Sequence, residues 1–344
     1  MNYSDIIEDN RMHHTPVDWW ASVAFHYTDI TNAISILKTG YLYSRAEASS
    51  QHFMNNDNAS RQVIDMTNYD VISKVRFYFR PLTPTQYYNE GYKHPNLRYD
   101  SDINANVPVP VFLVFDLESI LSTPGAQFSE QSQSGGGSPA YSGVEAFSKL
   151  NFDAIYDNSY ENFSSTKNYR HAEITIPNCV HIDPHLRRIV CRNQTERISL
   201  LNLLRETDRT AFDHYKGIIK VYNKDIFENN GLFIDQCVYF RNMLRISFTD
   251  TCERRKYINR MLHKNNIETL PPVGVTIELT WLSGTMVLDY RIVETKIDIE
   301  NPGNITIKNL PNIPNAAQIG IKVYFEKSLM CYVLQPLESS ELWG

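Results

Sequence analysis

Residues 107–121 read VPVPVFLVFDLESIL, and this stretch decides the fold class. Residues 109–115 form a continuous apolar run of β-branched and aromatic side chains, closed by Asp116. A run without polar alternation is typical of a strand that is buried on both faces. We therefore expect this segment to lie inside a sheet that helices flank.

Upstream, residues 23–48 read VAFHYTDITNAISILKTGYLYSRAEA. The pattern predicts a short strand ending at His26, followed by a helix. Asp29 or Thr31 can cap the first turn of that helix, and Gly40 ends it.

Further strands are predicted on both sides of the central run. VRFYF at residues 75–79 is one strand, which Pro81 ends, and RHAEITIP at 170–177 is another, with Glu173 near its start. FDAIYDNSY at 152–160 indicates a short strand and a turn. The Gly/Ser-rich segment 122–143 has no apolar period and predicts a mobile loop.

The pattern changes beyond Pro184. Residues 197–222 have helical spacing, and from residue 271 the chain alternates apolar and polar residues, which is typical of antiparallel strands. We predict an α+β fold: a mixed sheet with flanking helices at 1–190, then an accessory domain at 191–344 with a helical segment and an antiparallel β module.

Composition narrows the class of protein. Of the 344 residues, 42% are hydrophobic and 21% are charged, and the formal net charge is −6. We expect no transmembrane helix, no signal peptide and a cytoplasmic location. The five cysteines form no CxxC pair, so we expect neither a zinc site nor a disulfide framework. A net negative charge argues against nucleic-acid binding over the whole surface but allows a local basic groove.

Three polar residues at strand ends could form one site: His26, Arg80 and Glu173. A carboxylate can stabilise the oxocarbenium-like state formed when a pyridinium leaves ribose, and an arginine fork can hold diphosphate oxygens. Taken singly, each has an ordinary alternative. His26 also fits an interior histidine, Arg80 a surface salt bridge, and Glu173 the solvent face of an edge strand.

Neither a Walker loop nor a GxGxxG motif occurs in the sequence, so an ordinary nucleotide-binding fold is not indicated. A non-catalytic module that binds single-stranded nucleic acid stays open, because aromatic side chains and arginine clusters suffice for it.

Four segments together resemble the DarT family of DNA ADP-ribosyltransferase toxins. They read FHYTDITNAISILKTGYLYSRAEA (25–48), FYFRPLTPTQYYNEG (77–91), VPVPVFLVFD (107–116) and AIYDNSYENFSSTKNYRHAEITI (154–176). The resemblance implies an ADP-ribosyltransferase-like fold with a split mixed sheet, NAD+ as co-substrate without a metal, and transfer of ADP-ribose to a base of single-stranded DNA. The alternative is a glycosyltransferase of the same kind, an ADP-ribosyltransferase that acts on RNA or protein from the same donor site.

The resemblance also implies roles for individual residues. Glu173 would be the catalytic glutamate, with Arg80 assisting it and contacting NAD+. The remaining NAD+ contacts would come from His26, Tyr27, Thr28 and Asn32. The segment 158–170 would present the acceptor base, so the implied substrate-binding residues are Tyr160, Tyr169, Arg170 and His171.

Arg80 departs from the family pattern, in which the arginine follows the proline; here Leu82 takes that place. With TPTQYYNEG, this departure resembles the guanine-modifying branch more than the thymine-modifying branch. The family further implies a toxin–antitoxin role in phage defence, with a DarG-like macrodomain antitoxin as partner. The basic stretch 241–264 lies outside the resemblance; it indicates either a DNA contact or a solvated helix face.

Overall fold

The computed structural model describes residues 2–15, 17–56, 67, 69–99, 102, 105–134, 138–159, 161–222 and 225–337. The strands are β1 Val23–Asp29, β2 Tyr41–Tyr43, β3 Lys74–Tyr78, β4 Pro110–Asp116, β5 Gln127–Ser129, β6 Glu173–Pro177, β7 Cys179–His181, β8 Leu186–Cys191, β9 Ile219–Val221, β10 Ile234–Phe240, β11 Met243–Phe248, β12 Val273–Ser283, β13 Met286–Ile297, β14 Ile305–Ile307, β15 Gln318–Phe325 and β16 Ser328–Pro336. The α-helices are α1 Tyr3–His13, α2 Ile30–Thr39, α3 Arg45–Ser50, α4 Tyr69–Ile72, α5 Pro84–Asn89, α6 Leu117–Leu121, α7 Val144–Phe147, α8 Phe152–Tyr156, α9 Phe163–Thr166, α10 Gln194–Thr207, α11 Arg209–Tyr215 and α12 Cys252–Asn265. Short 3-10 helices span Asp18–Ser22, Pro95–Leu97 and Tyr169–His171.

A mixed sheet forms the first half of the molecule. Within the described residues its strand order is β5-β6-β3-β1-β4-β8-β9, and β8 and β9 run parallel while the other neighbours are antiparallel. Strand β4 is buried from Pro110 to Phe115, as its unbroken apolar run predicts. The sheet therefore grows outward from the stretch that the sequence marks as its centre.

The sheet is split between β1 and β3. Their register contains one pair among the described residues, Phe25 with Tyr78, whereas β1 pairs with β4 along its whole length. Two strands that diverge leave main-chain groups unpaired and open space between them. That space is where the candidate site lies.

Helix α2 follows β1 and closes one side of the split. The Asp29 side chain accepts a hydrogen bond from the Thr31 N–H at 2.9 Å and caps the helix, as predicted. Gly40 ends it in the left-handed conformation, with φ of 72°. The apolar side of α2 packs on β1, β4, α10 and α11, which fixes the helix against the sheet.

The second half contains two antiparallel sheets, with orders β10-β11-β14 and β13-β12-β15-β16 among the described strands. Helix α12 and the Pro95–Leu97 turn pack against each other beside these sheets. Together with the mixed sheet, this confirms the predicted α+β fold with an antiparallel C-terminal module.

The two halves are joined by a segment of the first half that enters the core of the second. Tyr92 and Leu97 belong to the second cluster of buried apolar residues, and Tyr92 pairs with Leu232 as an isolated bridge. The Glu90 carboxylate accepts hydrogen bonds at 2.9 Å from the main-chain N–H groups of Glu228 and Asn229. Buried hydrogen bonds therefore hold the joint together with apolar packing.

A close crossing of the backbone marks the same joint. A Cβ added to Gly91, which has φ of 74°, would lie 2.1 Å from the Phe233 ring, and one added to Gly231 would lie 2.5 Å from the Glu90 carbonyl oxygen. Only glycine allows the two chains to approach this closely.

Three sequence-based expectations about elements were wrong. Strand β1 continues past His26 to Asp29. Residues 152–156 form helix α8 rather than a strand, because Asn151 caps it and Phe152, Ile155 and Tyr156 share its buried side. The segment 122–143 is not free of structure, since β5 pairs with β6 and buries Phe128; its residues 135–137 lie outside the described part.

The described residues contain no helix with the length and apolar character needed to cross a bilayer. The proposed domain boundary at residue 190 stays a prediction. The two clusters of buried apolar residues divide the chain later, since the first ends at Phe227 and the second resumes at Leu232.

Candidate active site

A cavity of about 610 Å³ opens where β1 and β3 separate. Its walls come from β1, β2, β3, from helices α2, α3 and α5, and from loop residues around 132–134 and 167–171. This volume lies within the usual range for cofactor and substrate pockets.

The charge of the cavity wall is positive. Among the described lining residues there is no carboxylate, whereas four basic side chains are present: Arg45, Lys74, Arg76 and Lys167. Lys74 is matched by Asp70, with Nζ and Oδ2 at 2.7 Å. Arg76 donates from Nη1 to Ser134 Oγ at 3.0 Å, which aims its guanidinium along the wall. Such a wall attracts a multiply charged anion, and its guanidinium groups suit diphosphate oxygens.

Aromatic rings supply flat surfaces in the same cavity. Tyr43 and Phe53 stand 5.2 Å apart between ring centroids, with their planes 30° from parallel. The other aromatic lining residues outside β1 and the histidines are Tyr41, Tyr78, Tyr88 and Tyr99. Rings of this kind bind planar heterocycles by stacking.

His26 lies in the split itself and lines the cavity. Its Nδ1 is 3.0 Å from the Arg76 carbonyl oxygen on β3, so Nδ1 carries the proton because a carbonyl only accepts. Burial lowers the pKa of His26, which keeps the ring neutral at neutral pH. Nε2 is then a hydrogen-bond acceptor. The interior-histidine alternative and the NAD+-contact hypothesis are both compatible with this position.

Glu173 begins β6, as predicted, and pairs with Tyr78 of β3. It is 1% exposed, so it is not a solvent-facing residue of an edge strand. Its Oε1 accepts a hydrogen bond from the Gln133 N–H at 2.6 Å. Burial raises the pKa of Glu173, while the positive charge of Arg76 and the Gln133 hydrogen bond lower it. Glu173 itself is not among the residues that line the cavity, but its strand neighbour Tyr78 and the two residues beside Gln133, Ser132 and Ser134, do line it.

The other predicted NAD+ contacts divide between the cavity and the core. Thr28 and Asn32 both line the cavity, but the Asn32 side chain also binds the main chain of residues 55 and 56 through three hydrogen bonds. Tyr27 contributes to the wall, while its ring packs on Phe112 at 5.1 Å and its hydroxyl is buried.

Arg80 is placed differently from a cavity arginine. Its side chain is fully buried, and the guanidinium donates to the carbonyl oxygens of Pro81, Ile155 and Asp157 and to Asn158 Oδ1. Burial lowers the pKa of Arg80 to about 9. The surface salt bridge considered from sequence is therefore wrong. Its role as an NAD+ ligand stays a prediction, beside the bracing role that these contacts establish.

The predicted acceptor segment adjoins the cavity. His171 lines it, and burial together with Lys167 lowers the pKa of His171 to about 4. Arg170 donates to the Ser159 carbonyl at 2.7 Å and stacks on Phe163, and Tyr169 packs on the first apolar cluster. Tyr160 lies outside the described residues.

The basic wall was not among the predictions made from the sequence. Arg76 alternates with the buried residues of VRFYF, and Arg45 follows the end of β2 in YLYSRAEA, so both positions were visible as polar neighbours of predicted elements. Their convergence was not visible, because it depends on the split between β1 and β3.

The sequence matches the family model described as DarT: ssDNA thymidine ADP-ribosyltransferase over residues 25–222, more than half of the chain. The chain belongs to the DarT family. The matched residues include every described residue that lines the cavity. No curated protein sequence matches the chain.

Solved structures of DarT proteins are also similar to the chain. Thermus sp. 2.9 DarT with ADP-ribosylated ssDNA has a TM-score of 0.47 and 14% identity, and the alignment covers 60% of this chain and 96% of that one. The structure of the same protein with carba-NAD+ has a TM-score of 0.46 and 16% identity, and the alignment covers 60% of this chain and 97% of that one. Thermosipho africanus DarTG with ADP-ribose has a TM-score of 0.43 and 14% identity, and the alignment covers 64% of this chain and 54% of that one.

Proposed function

We propose that this DarT-family chain is an NAD+-dependent ADP-ribosyltransferase that modifies a base of single-stranded DNA. The observation that carries the proposal is the cavity in the split sheet. It combines a positive wall free of carboxylates among its described residues, stacking tyrosines and a buried glutamate whose contacts, Tyr78 and Gln133, belong to or adjoin that wall. An anionic dinucleotide and a reaction at a ribose carbon need these three features together.

The residues have separate tasks in this proposal. Arg45 and Arg76 hold the diphosphate of NAD+, and Tyr43 or Tyr78 stacks on a ring of the dinucleotide. Nε2 of His26 accepts a hydrogen bond from a ribose hydroxyl or from the nicotinamide amide. Thr28, two residues further along β1, adds a hydroxyl to the same cavity.

The transfer breaks one bond and forms one. The bond between nicotinamide nitrogen and ribose C1′ breaks, nicotinamide leaves as a neutral molecule, and C1′ develops positive charge. A base nitrogen attacks C1′ and loses a proton. The Glu173 carboxylate stabilises the positive charge and accepts that proton. His171, neutral at working pH, stands where the base would enter.

We propose guanine as the target base, because TPTQYYNEG and the arginine before Pro81 resemble the guanine-modifying branch. The family description names thymidine instead. We further propose that the chain acts as the toxin of a toxin–antitoxin pair in the cytoplasm, restrained by a DarG-like macrodomain antitoxin. Growth arrest on expression, relieved by co-expression of such a macrodomain, is the expected result.

Purified protein incubated with NAD+ and short single-stranded oligonucleotides, each lacking one base, tests the proposal by mass spectrometry. An ADP-ribose adduct that disappears only when guanine is absent supports both enzyme and base. Dependence on thymine keeps the enzyme and corrects the base. Label transfer to RNA or protein alone contradicts the DNA target, and folded protein that neither responds to NAD+ nor forms adducts contradicts the enzyme.

A further inference from the structure

We propose that the accessory half extends the DNA-binding path: the basic face of helix α12, formed by Lys256, Arg260 and Lys264, binds the strand that flanks the target base. This inference rests on the proposed function and lies outside the residues matched to the family model. It assigns a ligand, single-stranded DNA, to a surface more than thirty residues beyond that match.

A row of tyrosines connects the cavity with α12. Tyr88 and Tyr99 line the cavity and lie 5.2 Å apart between ring centroids. Tyr87 is 5.3 Å from Tyr88 and 5.5 Å from Tyr257, a buried residue of α12. Tyr87, Tyr88 and Tyr99 are each partly exposed, so this row reaches the surface.

Cations of α12 stand over this row. The Arg260 guanidinium carbon is 5.7 Å from the centre of the Tyr87 ring, and its Nη1 donates to the Tyr87 hydroxyl at 3.5 Å. Lys264 Nζ is 6.0 Å from the centre of the Tyr99 ring. Residues 256, 260 and 264 are spaced four apart, so they form one stripe along the helix, and all three are exposed. Glu253, one turn earlier, is the acidic neighbour of the stripe.

The helix is held firmly enough to present this stripe. The Tyr257 hydroxyl donates to the Leu97 carbonyl at 3.0 Å, and Asn265 Nδ2 donates to the Asn96 carbonyl at 3.0 Å. Both contacts tie α12 to the segment that carries Tyr99. The tyrosine row and the cations therefore keep their spacing.

Charge and shape favour single-stranded DNA as the occupant. Flat rings with adjacent cations are what sequence-tolerant binding of a single strand requires, because bases stack on the rings and phosphates meet the cations. The surface is continuous with the cavity through Tyr88 and Tyr99. A strand whose target base enters the cavity would thus have its next nucleotides at α12.

The other basic residues of the stretch 241–264 are not equivalent. Arg254 is buried and bonded to Asp250 and to the Ile299 carbonyl, and Arg255 is paired with Asp250. Arg241 stands at the turn between β10 and β11 with its guanidinium over Phe240, and Arg245 is exposed on β11. No described contact joins either residue to the tyrosine row, so the stripe of α12 is the part of this basic stretch that we assign to DNA.

The test compares wild type with the double variant R260E/K264E on oligonucleotides of about 6 and about 24 nucleotides, lengths that bracket a single-strand site. We expect modification and binding of the long oligonucleotide to fall about tenfold, and the slope of log affinity against log salt to drop by about 1.4, because two phosphate contacts are lost. Modification of the short oligonucleotide and stabilisation by NAD+ should match wild type.

The control is K296E/K308E, which changes two exposed lysines on and near strands β13 and β14 and alters the net charge equally. Equal loss in this control assigns the effect to overall charge and overturns the inference. R260E/K264E with wild-type activity and salt slope on both oligonucleotides overturns it too, and loss of an antitoxin's binding instead reassigns the face to a protein partner. Wild type that modifies neither oligonucleotide overturns the proposed function, and the DNA path with it.

Discussion

At the scale of single residues, the pKa of Glu173 is subject to opposing effects. Burial favours its neutral form, while Arg76 and the Gln133 N–H favour the ionised form. A carboxyl balanced in this way can stabilise positive charge and then accept a proton. Its position at the start of a strand was readable from RHAEITIP, but its environment depends on residues 76 and 133, which are distant in sequence.

The variant E173Q is expected to separate activity from stability. Burial raises the pKa of Glu173 above its ordinary 4.5, so the stabilising contribution of this group is full below 4.5 and is lost as pH rises through the higher native value. Glutamine keeps an oxygen for the Gln133 N–H and carries no buried charge. We expect E173Q to melt at a higher temperature than wild type at about pH 7. At about pH 4 the melting temperatures of the two proteins should be more nearly equal.

ADP-ribose transfer by E173Q should fall by about 100-fold or more. The measurements are thermal unfolding at the two pH values and adduct formation by mass spectrometry. E118Q, on the exposed side of α6, is the control and should change neither the melting temperature nor adduct formation. Transfer by E173Q at the wild-type rate would show that this carboxylate takes no part in the reaction.

Replacing Arg76 tests the charge coupling directly. The positive charge of Arg76 lowers the pKa of Glu173, so R76M should raise it. If the ionised carboxylate is the active form, the acidic limb of the profile of kcat/KM against pH then moves to higher pH. R76K keeps the charge, so the acidic limb of its profile should lie at the wild-type pH. If R76M raises KM but leaves the acidic limb at the wild-type pH, Arg76 binds the diphosphate and does not tune the pKa of Glu173.

At the scale of elements, the Arg80 side chain adds a polar attachment to the apolar packing that holds α8. Arg80 binds the carbonyl oxygens of residues 155 and 157, at the end of α8, and the Asn158 side chain. A helix as short as α8 has little stability of its own. This explains why its aromatic and branched residues looked like a strand in sequence, since tertiary contacts and the Asn151 cap decide the outcome.

We expect R80M to destabilise the fold. The variant leaves buried carbonyl oxygens without donors, and the free energy of unfolding should fall by about 3 kcal/mol, measured in urea. R80K keeps the charge but not the planar fork, so it should lose less. A wild-type urea midpoint combined with a lost response to NAD+ would instead support the family-implied contact with the dinucleotide.

Elements with a local cause were predictable. The cap and stop of α2 follow from Asp29 and Gly40, and the burial of β4 follows from its apolar run. Strand β5 was not predictable, because its three residues lie in a Gly/Ser-rich segment and form a strand only by pairing with β6. The cavity has the same origin, since its cations converge only after β1 and β3 separate.

At the scale of the molecule, the two halves share buried charge. Lys93 Nζ donates to Asn230 Oδ1 at 2.7 Å and lies 3.6 Å from the centre of the Tyr257 ring. Arg192, beside Glu90 and bonded to Glu196, is buried at the same joint. Residues of the family-matched part therefore depend on the accessory half for their partners.

A fragment of residues 1–222, which contains the whole matched region, is expected not to fold alone. Glu90 and Lys93 would lose their hydrogen-bond partners at residues 228–230, and Tyr92 and Leu97 would lose their core. Each large apolar side chain left exposed loses about 1.5–3 kcal/mol of burial, a large share of a typical stability of about 5–15 kcal/mol. Circular dichroism on heating measures whether the fragment unfolds cooperatively.

The complementary fragment 223–344, added or co-expressed, should restore cooperative unfolding and the response to NAD+. Full-length protein is the reference. A fragment 1–222 that unfolds cooperatively and is stabilised by NAD+ would contradict the expectation and support the division of the chain near residue 190.

The crossing of Gly91 and Gly231 has a consequence for how such proteins diverge. Neither site tolerates even a methyl group, and a change at one cannot be compensated at the other, because each Cβ would strike backbone or a ring packed at the crossing. Relatives that carry both halves should keep glycine at both positions. In lineages that lack the accessory half, the clash at position 91 is gone and only the positive φ still favours glycine there. Asparagine or aspartate, which tolerate that φ, would then mark the absence of the second half.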